Sequence, residues 1–202
     1  MSRPPQYAIA YIGLYPTFGA YLAFYEISVK RLYEVLQSGK ETPDTLAMPI
    51  LALMRHSMEL GYKFSIWELH RMMDEKFDSQ AYGHHDLIRL HKSLCDYFKK
   101  VVEHYSLPDN VTESFEEHRP KTEAAMQKFS ALDKLSFSFR YPIDKKSGGA
   151  NFNQHTTVDL FEMRQLYDEA MILLRHTADV VGEYVDIHQH MEADLRQSQG
   201  YW

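Results

Sequence analysis

The sequence lacks long apolar runs and an excess of basic charge, and it has almost no cysteine. Cys95 is the single cysteine in 202 residues, which excludes an intramolecular disulfide and a zinc site built from several thiolates. No stretch approaches the ~18 consecutive apolar residues of a membrane-spanning helix. The start of the chain, with its Tyr and Pro residues, also lacks the pattern of a secretory signal. We therefore expect a cytoplasmic protein with no membrane partner.

Acidic residues outnumber basic ones, with 28 Asp and Glu against 22 Lys and Arg and a formal net charge of −6. A protein that binds duplex nucleic acid through its phosphates needs a basic face, so we expect no duplex DNA partner. Residues 55–100 depart from this balance, because they contain eight basic and seven acidic side chains. This less acidic region is compatible with an RNA or nucleotide ligand.

Helical periodicity dominates the chain. Apolar residues make up 45% of the sequence, enough for one hydrophobic core, and we interpret residues 1–202 as one domain. They recur three and four apart over most of that length, which predicts an all-α, up-down bundle of four to five helices. The main helices are predicted at Thr17–Gln37, Leu46–Met73, His85–Val102 and Thr157–Leu195.

Two stretches between the third and the last of these helices have a different pattern. Prolines interrupt residues 106–120, which predicts a loop or a short helix there, followed by a separate helical piece at Thr122–Leu132. Polar and aromatic residues then alternate ahead of a glycine-containing turn. This alternation predicts a small extended or hairpin insertion near 136–153, with Phe137–Phe152 extended.

The second predicted helix carries charged residues on one face. Arg55, Glu59 and Lys63 lie four apart, and His56 follows Arg55, so these side chains share one side of the helix. One interpretation is a solvated ladder of ion pairs. The other is a site in which imidazole groups transfer protons near neutral pH and the basic side chains bind phosphate.

A second polar group opens the third predicted helix, where Gly83 is followed by His84, His85 and Asp86. Asp86 could be an early-turn anion that faces the helix dipole. The two histidines could instead join the histidine of the second helix as proton-transfer groups.

Together the two polar segments resemble the HEPN superfamily (higher eukaryotes and prokaryotes nucleotide-binding). Its members often carry a helix of the form Arg-His-x-x-Glu-Leu-x-x-Lys, and then Gly-His-Asp-Leu at the start of the next helix. The matching positions here are Arg55, His56, Glu59, Leu60 and Lys63, then Gly83, His85, Asp86 and Leu87. The Phe139–Pro142 segment, with Asp144, Lys145 and Lys146 after it, is similar to the extended insertion before the last helix in some HEPN-like proteins.

The resemblance implies a HEPN-like bundle with an RNA- or nucleotide-directed role, such as a toxin or a defence ribonuclease that needs no metal. It also implies a homodimer in which two polar clusters meet at a shared cleft. The catalytic candidates are Arg55, His56, His84 and His85. The binding candidates are Glu59, Lys63, Asp86, Arg140, Lys145, Arg175 and His176. The last two repeat the Arg-His pair on the final helix and could face the first pair across the bundle.

The usual ribonuclease signature of that family is missing from this chain. The signature is an Arg followed by four to six residues and then a His, and no Arg here has a His at those positions. A second hypothesis is therefore a non-catalytic HEPN-like module that recognises a nucleotide or a protein partner.

The eleven histidines suggest a third hypothesis, a His–carboxylate metal site in a helical bundle. His188 and Glu192 lie four apart on the last predicted helix, a spacing that lets two ligands share an ion. The Glu-x-x-His pattern of carboxylate metal bundles does not occur. Since a glycine-rich phosphate loop is also missing, we expect neither a metal nor another cofactor.

If the charged face of the second helix is functional, Arg55 and Glu59 are expected to be partly buried. They should then pair with each other or with residues around His85, because buried charges persist only with partners. Six tyrosines in the first 33 residues, together with Phe24, exceed what one small bundle face readily buries. This surplus predicts a homodimer interface. The alternative is an N-terminal segment that folds over its own domain.

Overall fold

The computed structural model describes residues 9–133, 136–144, 147–152 and 156–199. It confirms the all-α prediction for these residues. None of its helices has the length and hydropathy that crossing a lipid bilayer requires. The six helices are α1 (Phe18–Gln37), α2 (Pro43–Met72), α3 (Ser79–Tyr82), α4 (Leu87–Tyr105), α5 (Asp109–Leu132) and α6 (Leu160–Gln199).

Side-chain caps set the first helix boundaries. The Thr17 hydroxyl accepts a hydrogen bond from the Ala20 amide at 3.1 Å, and α1 begins one residue after the predicted start. The Thr42 hydroxyl accepts from the Thr45 amide at 3.3 Å. Pro43 occupies the first position of α2, where its missing N–H leaves no bond unmade. Helix α2 therefore begins three residues before the predicted Leu46.

The predicted start of the third main helix at His85 was wrong by two residues. The Asp86 carboxylate accepts hydrogen bonds from the amides of Ile88 at 3.0 Å and Arg89 at 3.3 Å. Asp86 is therefore the N-cap of α4, which begins at Leu87. As a consequence, His85 lies on the turn between α3 and α4, outside both helices.

The predicted break between residues 106–120 and Thr122–Leu132 was also wrong, because α5 runs without interruption through Pro120. Its buried residues recur at helical spacing on both sides of the proline and pack against α4 and α6. Phe115, for example, stacks on Phe98 of α4 with ring centroids 3.8 Å apart. This tertiary packing outweighs the local preference of proline for a helix end.

The insertion near 136–153 is less extended than predicted. Within its described residues, one antiparallel bridge joins Ile143 and Ala150, which is the only strand pairing there. Phe137–Phe152 is not extended throughout, because residues 138–140 form a turn. The Asp133 carboxylate produces that turn by accepting hydrogen bonds from successive backbone amides.

Helix α2 is the centre of the bundle and packs against α1, α4 and α6. Its long middle section is therefore buried around its whole circumference, with apolar residues such as Met54, Met58, Tyr62 and Ile66 inaccessible to solvent. Most polar residues in this section, including Arg55, Ser57 and Glu59, are buried with them. This central position, rather than any local property, takes Arg55 and Glu59 out of water.

Helices α2 and α6 approach each other closely at Gly61. A Cβ atom there would lie 3.0 Å from Leu174 Cβ, whereas one at Gly182 would meet only the flexible end of Met72 at 3.1 Å. We expect Gly61→Ala to lower the free energy of unfolding by about 1 kcal/mol net, because overpacking exceeds the gain in helix propensity. Gly182→Ala should leave it unchanged or raise it by up to ~1 kcal/mol. Urea denaturation of both variants tests this, and equal effects would contradict the close approach.

Candidate functional site

The buried carboxylate of Glu59 is the centre of the polar cluster. Its Oε1 lies 2.8 Å from Lys63 Nζ and 2.9 Å from His85 Nδ1. Its Oε2 lies 3.5 Å from Arg55 Nη1 and 3.9 Å from His56 Nδ1. The predicted burial and pairing of Arg55 and Glu59 is thus confirmed. The alternative of a solvated ion ladder is wrong, since both side chains are nearly inaccessible.

Glu59 is ionised at neutral pH. Burial acts to raise the pKa of this carboxyl, but the hydrogen bonds and charges of Lys63 and His85 outweigh it and hold the pKa below the ordinary 4.5. An ionised carboxylate can only accept hydrogen bonds, so in the neutral form of the His85 ring the proton resides on Nδ1. The side chain of His85 is 53% exposed, and its Nε2 is left to act as a proton acceptor.

Arg55 connects two separate parts of the chain from inside the bundle. Its Nε donates to the carbonyl oxygen of Asp133 at 2.6 Å, and its Nη2 donates to the carbonyl oxygen of His85 at 2.6 Å. Burial lowers the pKa of Arg55, and the charges of Asp133 and Glu59 counteract this. Because the side chain has no exposed surface, this geometry favours a positioning role for Arg55 over direct contact with a ligand.

The site includes Asp133, which the sequence analysis missed. Its carboxylate accepts from the amides of Phe137 at 2.7 Å, Ser138 at 3.0 Å and Phe139 at 3.3 Å. Asp133 therefore shapes the loop that carries Arg140, while its own carbonyl receives Arg55. The available signal was an Asp just after the last turn of a helix and ahead of an aromatic loop, a position typical of backbone capping.

His56 lies at the edge of the cluster with its side chain one-third exposed (33%). Its ring meets Tyr25 of α1 edge-on, with centroids 4.6 Å apart. Burial lowers the pKa of His56 below the ordinary 6.5, and Glu59 opposes this shift. The charges of Lys63, His85 and Arg140 lower the pKa further. The ring is therefore mostly neutral at pH 7.

His84 and Asp86 make hydrogen bonds to nearby backbone amides. The Nδ1 of His84 accepts from the amide of Asp86 at 3.2 Å, which places the proton of a neutral ring on Nε2. Burial lowers the pKa of His84, and the charge of Arg89 adds to this. Asp86 itself is committed to capping α4. In both neighbouring histidines Nδ1 is the ring nitrogen that contacts the protein, and the two rings differ in whether that nitrogen donates or accepts the hydrogen bond.

Arg140 brings a further positive charge to this side of the molecule. Its Nε donates to the carbonyl oxygen of Ser136 at 2.6 Å, and the residue is exposed. Its charge contributes to the lowered pKa values of His56 and Arg55. Lys145, the other binding candidate on this loop, lies outside the described residues.

Arg175 and His176 lie elsewhere. Ser65 of α2 donates to the carbonyl oxygen of Leu174 at 2.8 Å, so Arg175 is level with Ser65. That level is roughly 15 Å along α2 from Arg55. Arg175 Nη1 lies 3.6 Å from Glu26 of α1, and His176 is exposed beside Asp179. The structure does not bring this second Arg-His pair to the first.

The described residues contain no group of three or more His, Cys, Asp or Glu side chains arranged to hold a metal ion. His188 packs edge-on against Tyr105 with ring centroids 5.3 Å apart. The side chain of Glu192 lies outside the described part of the chain. The His–carboxylate metal hypothesis therefore gains no support from this geometry.

Comparison of the chain with protein-family models, with curated proteins and with solved structures finds no match. The functional interpretation accordingly depends on the geometry of the Glu59 cluster and on the motif resemblance.

Proposed function

We propose that this protein is a metal-independent, RNA-directed endoribonuclease, of the kind found among toxin and defence proteins. One observation supports this most directly: the buried Glu59 carboxylate binds Nδ1 of the His85 ring, and the side chain of His85 is 53% exposed. A carboxylate that fixes the tautomer of a histidine is a recurrent arrangement of general bases. Lys63 and Arg140, the neighbouring cations, supply the second requirement, which is stabilisation of the negatively charged phosphorane.

In the proposed reaction, each transferred proton has a named donor and acceptor. His85 Nε2 removes the proton of a ribose 2′-hydroxyl, and the resulting oxyanion attacks the adjacent phosphorus. The bond to the 5′-oxygen breaks, and this oxygen takes a proton from His56 in its protonated form. The products are a 2′,3′-cyclic phosphate and a 5′-hydroxyl. Because the pKa of His56 lies below 6.5, this step favours mildly acidic pH.

The first test is cleavage of a structured RNA in EDTA. We expect the wild-type protein to cleave it, and His85→Ala to reduce the rate by roughly 100-fold or more, the contribution typical of a general base. His104→Ala is the matched control, since His104 is exposed on α4 and lies outside the cluster. Equal rates for wild-type and His85→Ala protein would refute the assignment of the base.

A non-catalytic nucleotide- or protein-binding module is the second candidate. It is favoured by the complete burial of Arg55 and by the missing Arg–His signature of the family's ribonucleases. Binding of a nucleotide or of RNA without any cleavage in the same assay would support this candidate instead.

We also propose a homodimer formed through α1 and the segment before it. The N-terminal segment does not fold over its own domain at residues 9–15, since Tyr11 is 83% and Ile12 96% exposed. On α1, Tyr21 and Phe24 are also exposed, one turn or less from Tyr25, which contacts His56. A second copy covering this surface would lie beside the Glu59 cluster, as a shared cleft requires.

Light scattering at micromolar concentration should therefore give about twice the 23.7 kDa of one chain. Phe24→Lys is expected to shift the mass towards the monomer, because it places a charge within the apolar surface. Ile187→Lys, a change at an exposed apolar residue of α6, should leave the mass unchanged. A wild-type mass that stays near that of one chain at all concentrations would exclude the dimer.

A further inference from the structure

The loop at residues 136–144 carries two stacked aromatic rings. The rings of Phe137 and Tyr141 have centroids 4.5 Å apart and an interplanar angle of 24°. The guanidinium carbon of Arg140 lies 5.9 Å from the Tyr141 centroid. Tyr141 remains 48% exposed. A large ring on the surface, backed by another ring, contributes little to the core and forms a flat platform.

The platform is held in place from several directions. The Asp133 carboxylate binds the amides of residues 137–139. Phe139 is buried and stacks against Phe152, with an interplanar angle of 13°. Asn151 donates its side-chain N–H to the carbonyl oxygen of Tyr141 at 2.6 Å. Since the loop is ordered by these contacts, a ligand that stacks on the ring need not supply that order itself.

The loop that carries the platform is connected to the Glu59 cluster through Arg55. The guanidinium of Arg55 binds the carbonyl of Asp133, where the loop begins, and the carbonyl of His85. A single side chain thus joins the base of the platform to the turn that carries the proposed general base. The charge of Arg140, the neighbour of Tyr141, acts on His56. Phosphate-binding charge and a stacking surface therefore occur together.

We propose that Tyr141, backed by Phe137 and flanked by Arg140, stacks on an unpaired nucleobase next to the phosphate bound at the cluster. The ligand class is single-stranded RNA, because bases within a duplex are already stacked on each other and cannot reach the ring. This inference rests on the proposed function. It adds recognition of the nucleobase, the part of the substrate that the phosphate-binding cations do not contact. The contact tolerates different bases, since each has a π-face.

Fluorescence anisotropy tests this with three probes of equal length: a single-stranded RNA, an abasic oligonucleotide with the same number of phosphates, and a duplex. The His85→Ala protein is used so that cleavage of the probes is slow compared with the binding measurement. We expect the RNA to bind about 10-fold more tightly than the abasic probe and the duplex. Tyr141→Ala should remove this difference, and Tyr141→Phe should keep it. Phe161→Ala, at an exposed aromatic residue of α6, is the control.

The outcomes separate the two proposals. Equal affinity of His85→Ala protein for the RNA and the abasic probe would overturn base stacking without any further variant. It would leave the ribonuclease proposal to the cleavage assay. If none of the three probes binds and the wild-type protein does not cleave RNA, both proposals are refuted. If the Tyr141→Ala protein does not fold, the comparison of the three probes and the Tyr141→Phe variant still test base stacking.

Discussion

Replacing Arg55 by Met is expected to lower the free energy of unfolding by about 3–5 kcal/mol, as for other buried charge pairs that lose one partner. The methionine would fill much of the same volume but donate no hydrogen bond. The carbonyl oxygens of Asp133 and His85 would lose their 2.6 Å bonds to the guanidinium. Buried acceptors without donors each cost free energy, and the Glu59 carboxylate would lose a neighbouring positive charge as well.

Urea denaturation followed by circular dichroism measures this loss. Arg71→Met is the matched control, because Arg71 is on the same helix and pairs with Glu68 at 2.8 Å but is 62% exposed. An exposed pair of this kind is worth at most ~1 kcal/mol. Similar losses in the two variants would show that the buried network around Arg55 does not stabilise the fold.

Local signals in the sequence were enough to predict most helix positions. The apolar spacing of α1 lies within the helix itself, and its predicted end at Gln37 is confirmed. Helix α5 could not be predicted in the same way, because its continuity through Pro120 depends on packing against α4 and α6. The local preference of Pro120 for a helix end opposes the tertiary packing there, and the packing determines the structure.

Some contacts of the candidate site likewise follow from local spacing in the sequence, whereas others depend on tertiary structure. The pairing of Arg55 with Glu59 and of Glu59 with Lys63 follows from four-residue spacing on a helix. The contact of Glu59 with the His85 region was suggested only by the motif resemblance. The contact between Arg55 and Asp133 could not be predicted, because the two residues lie 78 positions apart and Asp133 accepts the hydrogen bond through its backbone carbonyl. Every residue type has that carbonyl, so no residue pattern marks the contact.

Glu59→Gln is expected to cause a comparable loss of about 3–5 kcal/mol at neutral pH. The amide has nearly the same shape as the carboxylate but carries no charge and replaces one acceptor oxygen by a donor. Lys63 and Arg55 would then lie nearly buried next to a neutral group, and the Lys63 and His85 donors would compete for one remaining oxygen. The proposed RNA cleavage should fall together with stability, because His85 would lose the group that fixes its tautomer.

The pH dependence of that stability difference identifies its origin. The pKa of Glu59 in the folded protein lies below the ordinary 4.5, so the carboxylate stabilises the fold fully above pH 4.5. That contribution is lost as the pH falls below 4.5 and through the folded-state pKa, where folded protein also binds the proton. The gap in unfolding free energy between wild type and Glu59→Gln should therefore be constant at neutral pH and narrow below pH 4.5. Glu34→Gln, which alters an exposed pair with Arg31, should change stability by less than ~1 kcal/mol. A gap between wild type and Glu59→Gln that stays constant down to pH 3 would mean that shape, and not the charge on Glu59, holds the cluster together.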